Sequence, residues 1–185
     1  MLDPAELLYA YSKGYFPMAV PEENDDIFWF KPDMRGIIPM DKFHISKNLR
    51  RLYKRGHFEN KINGDFIGTI KACAERDDTW ISAEIIETYS KLNEMGYAFS
   101  FESWRDGKLV GGLYGIALGK AFFGESMFFK ETDASKIALI FLYDFLMQND
   151  FRLLDTQYLN DHLKQFGGIE IPNAEYKKLL EMSQE

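Results

Sequence analysis

Cysteine is almost missing from this 185-residue chain. The one residue, Cys73, excludes a disulfide framework and any zinc site built mainly from thiolates. The three histidines, His44, His57 and His162, stand far apart and suggest no metal cluster, so no metal and no cofactor is expected. Long apolar runs are missing too. The longest, from Ile137 to Met147, is interrupted by Asp144 and is too short to span a bilayer. The opening MLDPAELLYAY has no basic segment followed by an apolar stretch, so it does not read as a signal peptide. A soluble cytoplasmic monomer with no membrane partner is the expectation. No repeat or low-complexity segment is visible.

Aromatics are plentiful, with 16 Phe and 10 Tyr spread along the chain, which suits extensive packing and stacking surfaces. The formal charge of −7 argues at first against a nucleic-acid partner. Its distribution changes that reading. Residues 1–60 carry nine basic and nine acidic residues, whereas residues 61–185 carry 13 basic and 20 acidic. The negative charge is confined to the C-terminal two thirds, and such asymmetry is informative.

Local signals give an alternation of helices and strands. Asp3 caps a helix with Pro4 at its first position and Glu6 in the capping-box slot, and Gly14 ends it. Phe16-Pro17-Met18-Ala19 reads as a rigid apolar turn, followed by an acidic loop and short strands at Ile27–Phe30 and Gly36–Pro39. Ser46 caps a helix to Arg55. Lys47, Arg50, Arg51, Lys54 and Arg55 recur at spacings of three and four and share one face of it. Five positives with no acid repel one another unless an anion is present. This is the candidate surface for phosphates, against the alternative of a solvated helix face.

A strand at Phe58–Asn63 and helices at Asp65–Ala74 and from Ser82 to Met95 follow. Strands at Tyr97–Trp104 and Leu109–Leu118 meet at the Asp106-Gly107 hairpin turn, and a third runs from Ala121 to Glu125. An apolar helix, Ala134–Met147, leads to the short buried strand Leu153-Leu154-Asp155, and helices near Asn160–Phe166 and Asn173–Met182 close the chain. Three antiparallel strands, then a helix, then a strand resemble the acyltransferase fold of the N-acetyltransferases (GNAT). The expected class is α/β (α+β), with a GNAT-like domain at 61–185 behind a smaller α/β domain at 1–60.

A more specific resemblance rests on Gly111-Gly112-Leu113-Tyr114-Gly115, Phe123-Gly124-Glu125-Ser126-Met127-Phe128, Ala134-Ser135-Lys136 and Leu154-Asp155-Thr156-Gln157. Gly14-Tyr15-Phe16-Pro17, Phe43-His44-Ile45-Ser46, Thr79-Trp80-Ile81-Ser82, Glu102-Ser103-Trp104, Asn160-Asp161-His162 and Gly167–Pro172 support it in the same order. Over essentially its whole length the chain resembles the bacterial leucyl/phenylalanyl-tRNA–protein transferases. The resemblance implies transfer of Leu or Phe, with Met as a further donor, from aminoacyl-tRNA to the α-amino group of proteins beginning with Arg or Lys. The product is a destabilising N-terminus that marks the protein for degradation. The chain starts without the N-terminal stretch of a few dozen residues that other members carry. Phe-Pro-Met stands for the Phe-Pro-Trp of the best-studied members, and Leu142 and Leu146 stand where those have phenylalanines.

The donor ester is already activated, so the chemistry needs no ATP. It needs a proton taken from the amine, a held ester and a stabilised oxyanion. Asp155 ends an apolar strand, and alternation places Gln157 on the same face, so the amide could relay between amine and carboxylate. The resemblance assigns that relay, while capping of a turn is the plainer role for Asp155. Glu125, after Gly124, could bind the donor's α-ammonium or its terminal adenosine, or bond a loop. Asn160 could orient the donor or cap a helix. Leu113, Met127, Leu139, Leu142, Leu146 and Leu154 match or neighbour the family's apolar pocket, Met18 takes a substrate-binding position of the family without its stacking ring, and Trp80 could stack on the terminal adenine or serve as a core or lid residue.

Three rivals stand beside this reading. A coenzyme-A-dependent N-acetyltransferase would carry a glycine-containing phosphate loop, where this chain has Phe129-Lys130-Glu131-Thr132-Asp133-Ala134. A non-catalytic reader of basic N-termini leaves the basic helix unexplained. An arginyl-tRNA–protein transferase acting on acidic N-termini conflicts with an apolar donor pocket.

Overall fold

α-Helices of four to fifteen residues and strands of four to eleven follow one another along the chain, and most helix starts follow local capping chemistry. The computed structural model describes residues 2–77 and 79–185. α1 (Pro4–Ser12) starts where the Asp3 carboxylate accepts from the amides of Ala5 and Glu6, and Gly14 leaves it at φ +83°. β1 (Phe16–Val20) pairs antiparallel with β2 (Asp26–Phe30) as a separate two-stranded ribbon. The apolar turn read at Phe16–Ala19 is therefore a strand. Pro17 is tolerated because a two-stranded ribbon has only edges.

β3 (Met34–Ile37) begins two residues earlier than read, and α2 (Lys47–Lys54) is capped by the Ser46 hydroxyl. β4 (Glu59–Ile62), α3 (Phe66–Ala74) and α4 (Ala83–Glu94) follow, with Asp65 and Ser82 as caps. β5 (Ala98–Arg105) and β6 (Lys108–Leu118) meet at Asp106 and Gly107, both at positive φ, as a tight hairpin demands. β7 (Ala121–Phe129) runs four residues past the expected end. α5 (Ala134–Gln148), β8 (Leu153–Gln157), α6 (Asp161–Lys164), β9 (Ile169–Pro172) and α7 (Asn173–Gln184) complete the order. β9 had no sequence signal. It has four residues, and only its pairing with β3 defines it.

The main sheet has seven strands in the order β4-β5-β6-β7-β8-β3-β9. Every pair is antiparallel except β7 and β8, which the helix α5 connects. β3, from the first sixty residues, lies between β8 and β9, so the chain shares one sheet across residue 60. That position marks a change of charge rather than a break in the sheet.

Strand alternation divides the apolar residues into two cores. Leu153, Phe123 and Tyr114 join Tyr11, Ile85 and Tyr176 on one side, and Leu154, Phe122 and Leu113 join Leu139, Leu142 and Leu49 on the other. Gly111 lets the start of α5 touch β6, since a Cβ there would lie 2.5 Å from Ala134 Cβ. Glu102 is wholly buried and accepts from the Asp65 amide at 2.9 Å, the Ser100 hydroxyl at 2.6 Å and the Trp104 indole at 2.7 Å. It ties β5 to the start of α3, where the helix dipole favours a negative charge.

Candidate active site

β7 and β8 pair only from Ala121 to Phe123. Beyond Phe123 the strands part, and the gap opens into a cavity of about 250 Å³ reached from both cores. Two irregularities shape its rim. Tyr114 faces Ser126 and Gly115 faces Gly124, which leaves Glu125 without an opposite residue. Ile37 faces Asp155 and Gly36 faces Gln157, which leaves Thr156 without one. Such bulges bend a strand and redirect its side chains. Gly36 makes the second possible, because a Cβ there would stand 2.7 Å from Thr156 Oγ1. Gln157 then sits at φ +62°, a conformation that costs a non-glycine residue on the order of 1 kcal/mol or more.

One end of the cavity is apolar. Leu113, Met127, Leu139, Leu142 and Leu154 line it from β6, β7, α5 and β8. Leu146 does not. It lies a turn further along α5 and is packed inside the core. Met18 on β1 and Trp80 ahead of α4 form another part of the wall, linked by a hydrogen bond from the Ala19 amide to the Trp80 carbonyl. Gly124, Glu125, Asp155, Gln157 and Asn160 bring the polar groups, and Asn160 also caps α6 by accepting from the Leu163 amide at 2.9 Å.

The two carboxylates have different surroundings. Asp155 is completely buried. It receives Arg35 Nε at 3.0 Å on Oδ1 and Arg35 Nη2 at 2.7 Å on Oδ2. The Tyr176 hydroxyl adds a bond of 2.5 Å and the Gln157 main-chain amide one of 2.7 Å. Arg35 is equally buried, between the rings of Phe16 and Tyr176, and its Nη1 donates to the Gly14 carbonyl at 2.8 Å. Burial alone would lower the Arg35 guanidinium, but the Asp155 carboxylate raises it, and the net direction is up.

Among the described residues Glu125 is in no ion pair. The hydroxyl of Tyr11 and Nε2 of Gln157, at 3.0 Å, both donate to Oε1. Oε2 is shielded from solvent and has no partner among the described residues. Burial pushes this carboxyl up to about 7. The Gln157 side chain thus reaches Glu125 rather than Asp155, because Arg35 and Tyr176 occupy the Asp155 carboxylate. That corrects the relay geometry read from strand alternation.

Several residues at the site escaped the sequence reading. Arg76 lines the cavity and is fixed by Nη2 to Ser126 Oγ at 2.8 Å and the Met127 carbonyl at 2.7 Å. Tyr114, Ser126, Thr156, Tyr158 and Leu163 also line it. Tyr11 bonds Tyr89 at 2.6 Å behind Glu125. Arg35 carried a usable signal: it is one charge at the head of an apolar run, Gly36-Ile37-Ile38, as Asp155 is in its own apolar strand. Two opposite charges in apolar strands suggest a buried pair.

Lys47, Arg50, Arg51 and Lys54 of α2, and Arg55 just after it, are all exposed and border one shallow depression on the surface. Among the described residues none of them is in an ion pair. Leu49 anchors the opposite side of α2 in the core. Among the described residues no three His, Cys, Asp or Glu side chains gather as metal ligands, and no helix is long and apolar enough to cross a membrane.

An apolar chamber with a polar rim, opened between two strands of a mixed sheet, is the kind of site an enzyme uses to act on the polar end of an apolar group. The comparisons make the class particular. Residues 37–181 match the family model of the leucyl/phenylalanyl-tRNA protein transferases, and residues 1–33 match the model of their N-terminal domain. The chain is 49% identical over 180 residues to the leucyl/phenylalanyl-tRNA–protein transferase of Ruegeria pomeroyi, covering 97% of this chain and 86% of the relative. It is 51% identical to that of Herpetosiphon aurantiacus, covering 97% and 93%. The chain belongs to this family, and it is an aminoacyltransferase. A solved structure of L-PGS from Bacillus licheniformis overlaps 86% of this chain and 55% of its own at TM-score 0.44 and 13% identity, too remote to carry an argument.

Proposed function

We infer that this protein transfers Leu or Phe from aminoacyl-tRNA to the N-terminal α-amine of a protein beginning with Arg or Lys, creating a signal for degradation. The observation that carries this reading is the chamber between β7 and β8, apolar within and bounded by Glu125 and Gln157 at its polar rim. A donor side chain of Leu or Phe fits the set Leu113, Met127, Leu139, Leu142 and Leu154, which leaves the ester beside the rim. Adaptable Met127 suits a site that takes both shapes. The acceptor nitrogen attacks the ester carbon, an N–C bond forms, the C–O bond breaks, and a ribose hydroxyl leaves.

Gln157 presents the amide that meets the incoming amine. Asp155 is a positioning residue: it holds the Gln157 main chain in its strained conformation through the bond to the backbone amide. Trp80 and Met18 offer a surface for the terminal adenosine, and Asn160 shapes the opposite rim. The exposed cations of α2 supply phosphate contacts, which read backbone and shape and depend on salt. The acidic surplus of residues 61–185 favours a cationic N-terminus.

We further propose that β4–β8 with α5 is a GNAT-like acyltransferase core. The strand order and the parallel β7–β8 pair around α5 support it. The start of α5 does not favour a coenzyme pyrophosphate, since Glu131 and Asp133 stand there in ion pairs with Arg105 and Lys136. Dependence on charged tRNA places the activity in the cytoplasm.

The test is purified protein with labelled leucyl-tRNA and a peptide beginning with Arg. Ribonuclease-sensitive transfer of label to the peptide is expected. No transfer, with labelled acetyl-CoA used instead, would overturn the reading.

A further inference from the structure

An amide side chain has two ends, and only its oxygen can accept a hydrogen bond from an attacking amine. Which end of Gln157 faces the cavity is therefore decisive. On the inner side, Nε2 donates to Glu125 Oε1, and no hydrogen bond among the described residues reaches Gln157 Oε1. Asp155 does not set this orientation. Its oxygens are engaged by Arg35 and Tyr176, and its contact with Gln157 is to the main chain.

We propose that the negative charge of Glu125 fixes the Gln157 amide with its oxygen toward the acceptor, so that Glu125, rather than Asp155, is the carboxylate that makes Gln157 a receiver for the attacking amine. An ionised Glu125 can only accept, which holds Nε2 inward. A protonated Glu125 can donate, and its O–H then draws the Gln157 oxygen inward and turns Nε2 to the cavity. An N–H facing the amine lone pair engages the electrons needed for attack. Glu125 is thus a positioning residue that acts through Gln157. The inference rests on the transferase reading above.

The groups facing Glu125 leave it as the one that changes charge near neutrality. Tyr11 from α1, Tyr89 from α4 and Tyr114 from β6 are all raised well above the usual phenol value, first by burial and then by the Glu125 charge. They remain donors. Asp155 on β8 and Arg35 on β3 form a closed ion pair. The Glu125 carboxyl itself, lifted by burial to about 7, crosses between its two states in the working range.

The pH dependence of kcat/KM tests this. The acceptor amine, with an ordinary pKa of about 8, must lose a proton. Glu125 must lose one as well. Below both values, log kcat/KM of the wild type is expected to rise with a slope of about 2 per pH unit, one for each group. In Glu125→Gln, which keeps size and neutral hydrogen bonding, the slope falls to about 1 and kcat drops on the order of 100-fold. Affinity for leucyl-tRNA stays within about threefold, because its phosphate contacts are elsewhere. Gln157→Ala is expected to run at a slope of about 1 too, since the titration acts through this amide. A slope of 2 retained in either variant overturns the inference. Failure of the wild type to transfer Leu at all would instead sink the transferase reading.

Discussion

Replacing Arg35 by Met removes the one cation that, among the described residues, is paired with the fully buried Asp155 carboxylate. The wild-type guanidinium gives Asp155 two charge-assisted bonds, at 3.0 and 2.7 Å, and the Gly14 carbonyl a third at 2.8 Å. Charge-assisted bonds are worth about 1.5–3 kcal/mol each, and an orphaned buried acceptor costs about 1–3 kcal/mol. The gross sum exceeds the net effect, because Arg35→Met also removes the desolvation cost of the guanidinium. Breaking a buried pair from one side costs about 3–5 kcal/mol in practice. Both partners are inaccessible to solvent, so screening offers no discount. For a chain of this length each kcal/mol moves Tm by about 2–4 °C, which gives a fall of about 6–20 °C for Arg35→Met. Urea unfolding at pH 7 measures the same loss directly. Asp155→Asn strands the arginine and is expected to lose a similar amount. The double variant removes both charges and is expected to be at least about 1 kcal/mol more stable than the two single losses predict by addition. Arg35→Met within about 1 kcal/mol of wild type, or strict additivity in the double variant, would refute the reasoning.

Two further perturbations address the substrates. Removing Arg50, Arg51 and Lys54 together, each to Ala, should weaken tRNA binding and lower the slope of log K against log salt by about 2, at roughly 0.7–0.9 per lost phosphate contact. Binding and slope unchanged from wild type would reduce the α2 face to mere surface. Leu142→Phe inserts a ring into a chamber of about 250 Å³. Overpacking of about 1–3 kcal/mol should fall on the larger donor, so the Phe-to-Leu ratio of kcat/KM should drop about tenfold, and an unchanged ratio would remove Leu142 from the chamber wall.

Helix starts were legible because capping is local. Asp3, Ser46, Asp65, Ser82 and Asn160 each accept from an amide two or three residues on, whatever the rest of the chain does. The hairpin at Asp106-Gly107 was legible for the same reason. β9 was not, since four residues become a strand only when β3 lies beside them. The chamber residues could be named from sequence through the family resemblance. Leu146 shows where that ends: it shares a helix with Leu139 and Leu142, and a single further turn takes it from the wall into the core.

The residue types that do chemistry, and their order along the chain, belong to the sequence by itself. So does the separation of a basic helix from an acidic remainder, because charge and spacing are written residue by residue. Which carboxylate meets which partner was decided only in three dimensions. Asp155 and Glu125 look alike as acids in apolar strands. β3 places Arg35 against the first, whereas the bulge on β7 turns the second toward Gln157, with no ion-pair partner among the described residues. Coulomb energy and desolvation depend on distances between strands far apart in sequence, and those distances exist only once the sheet has formed.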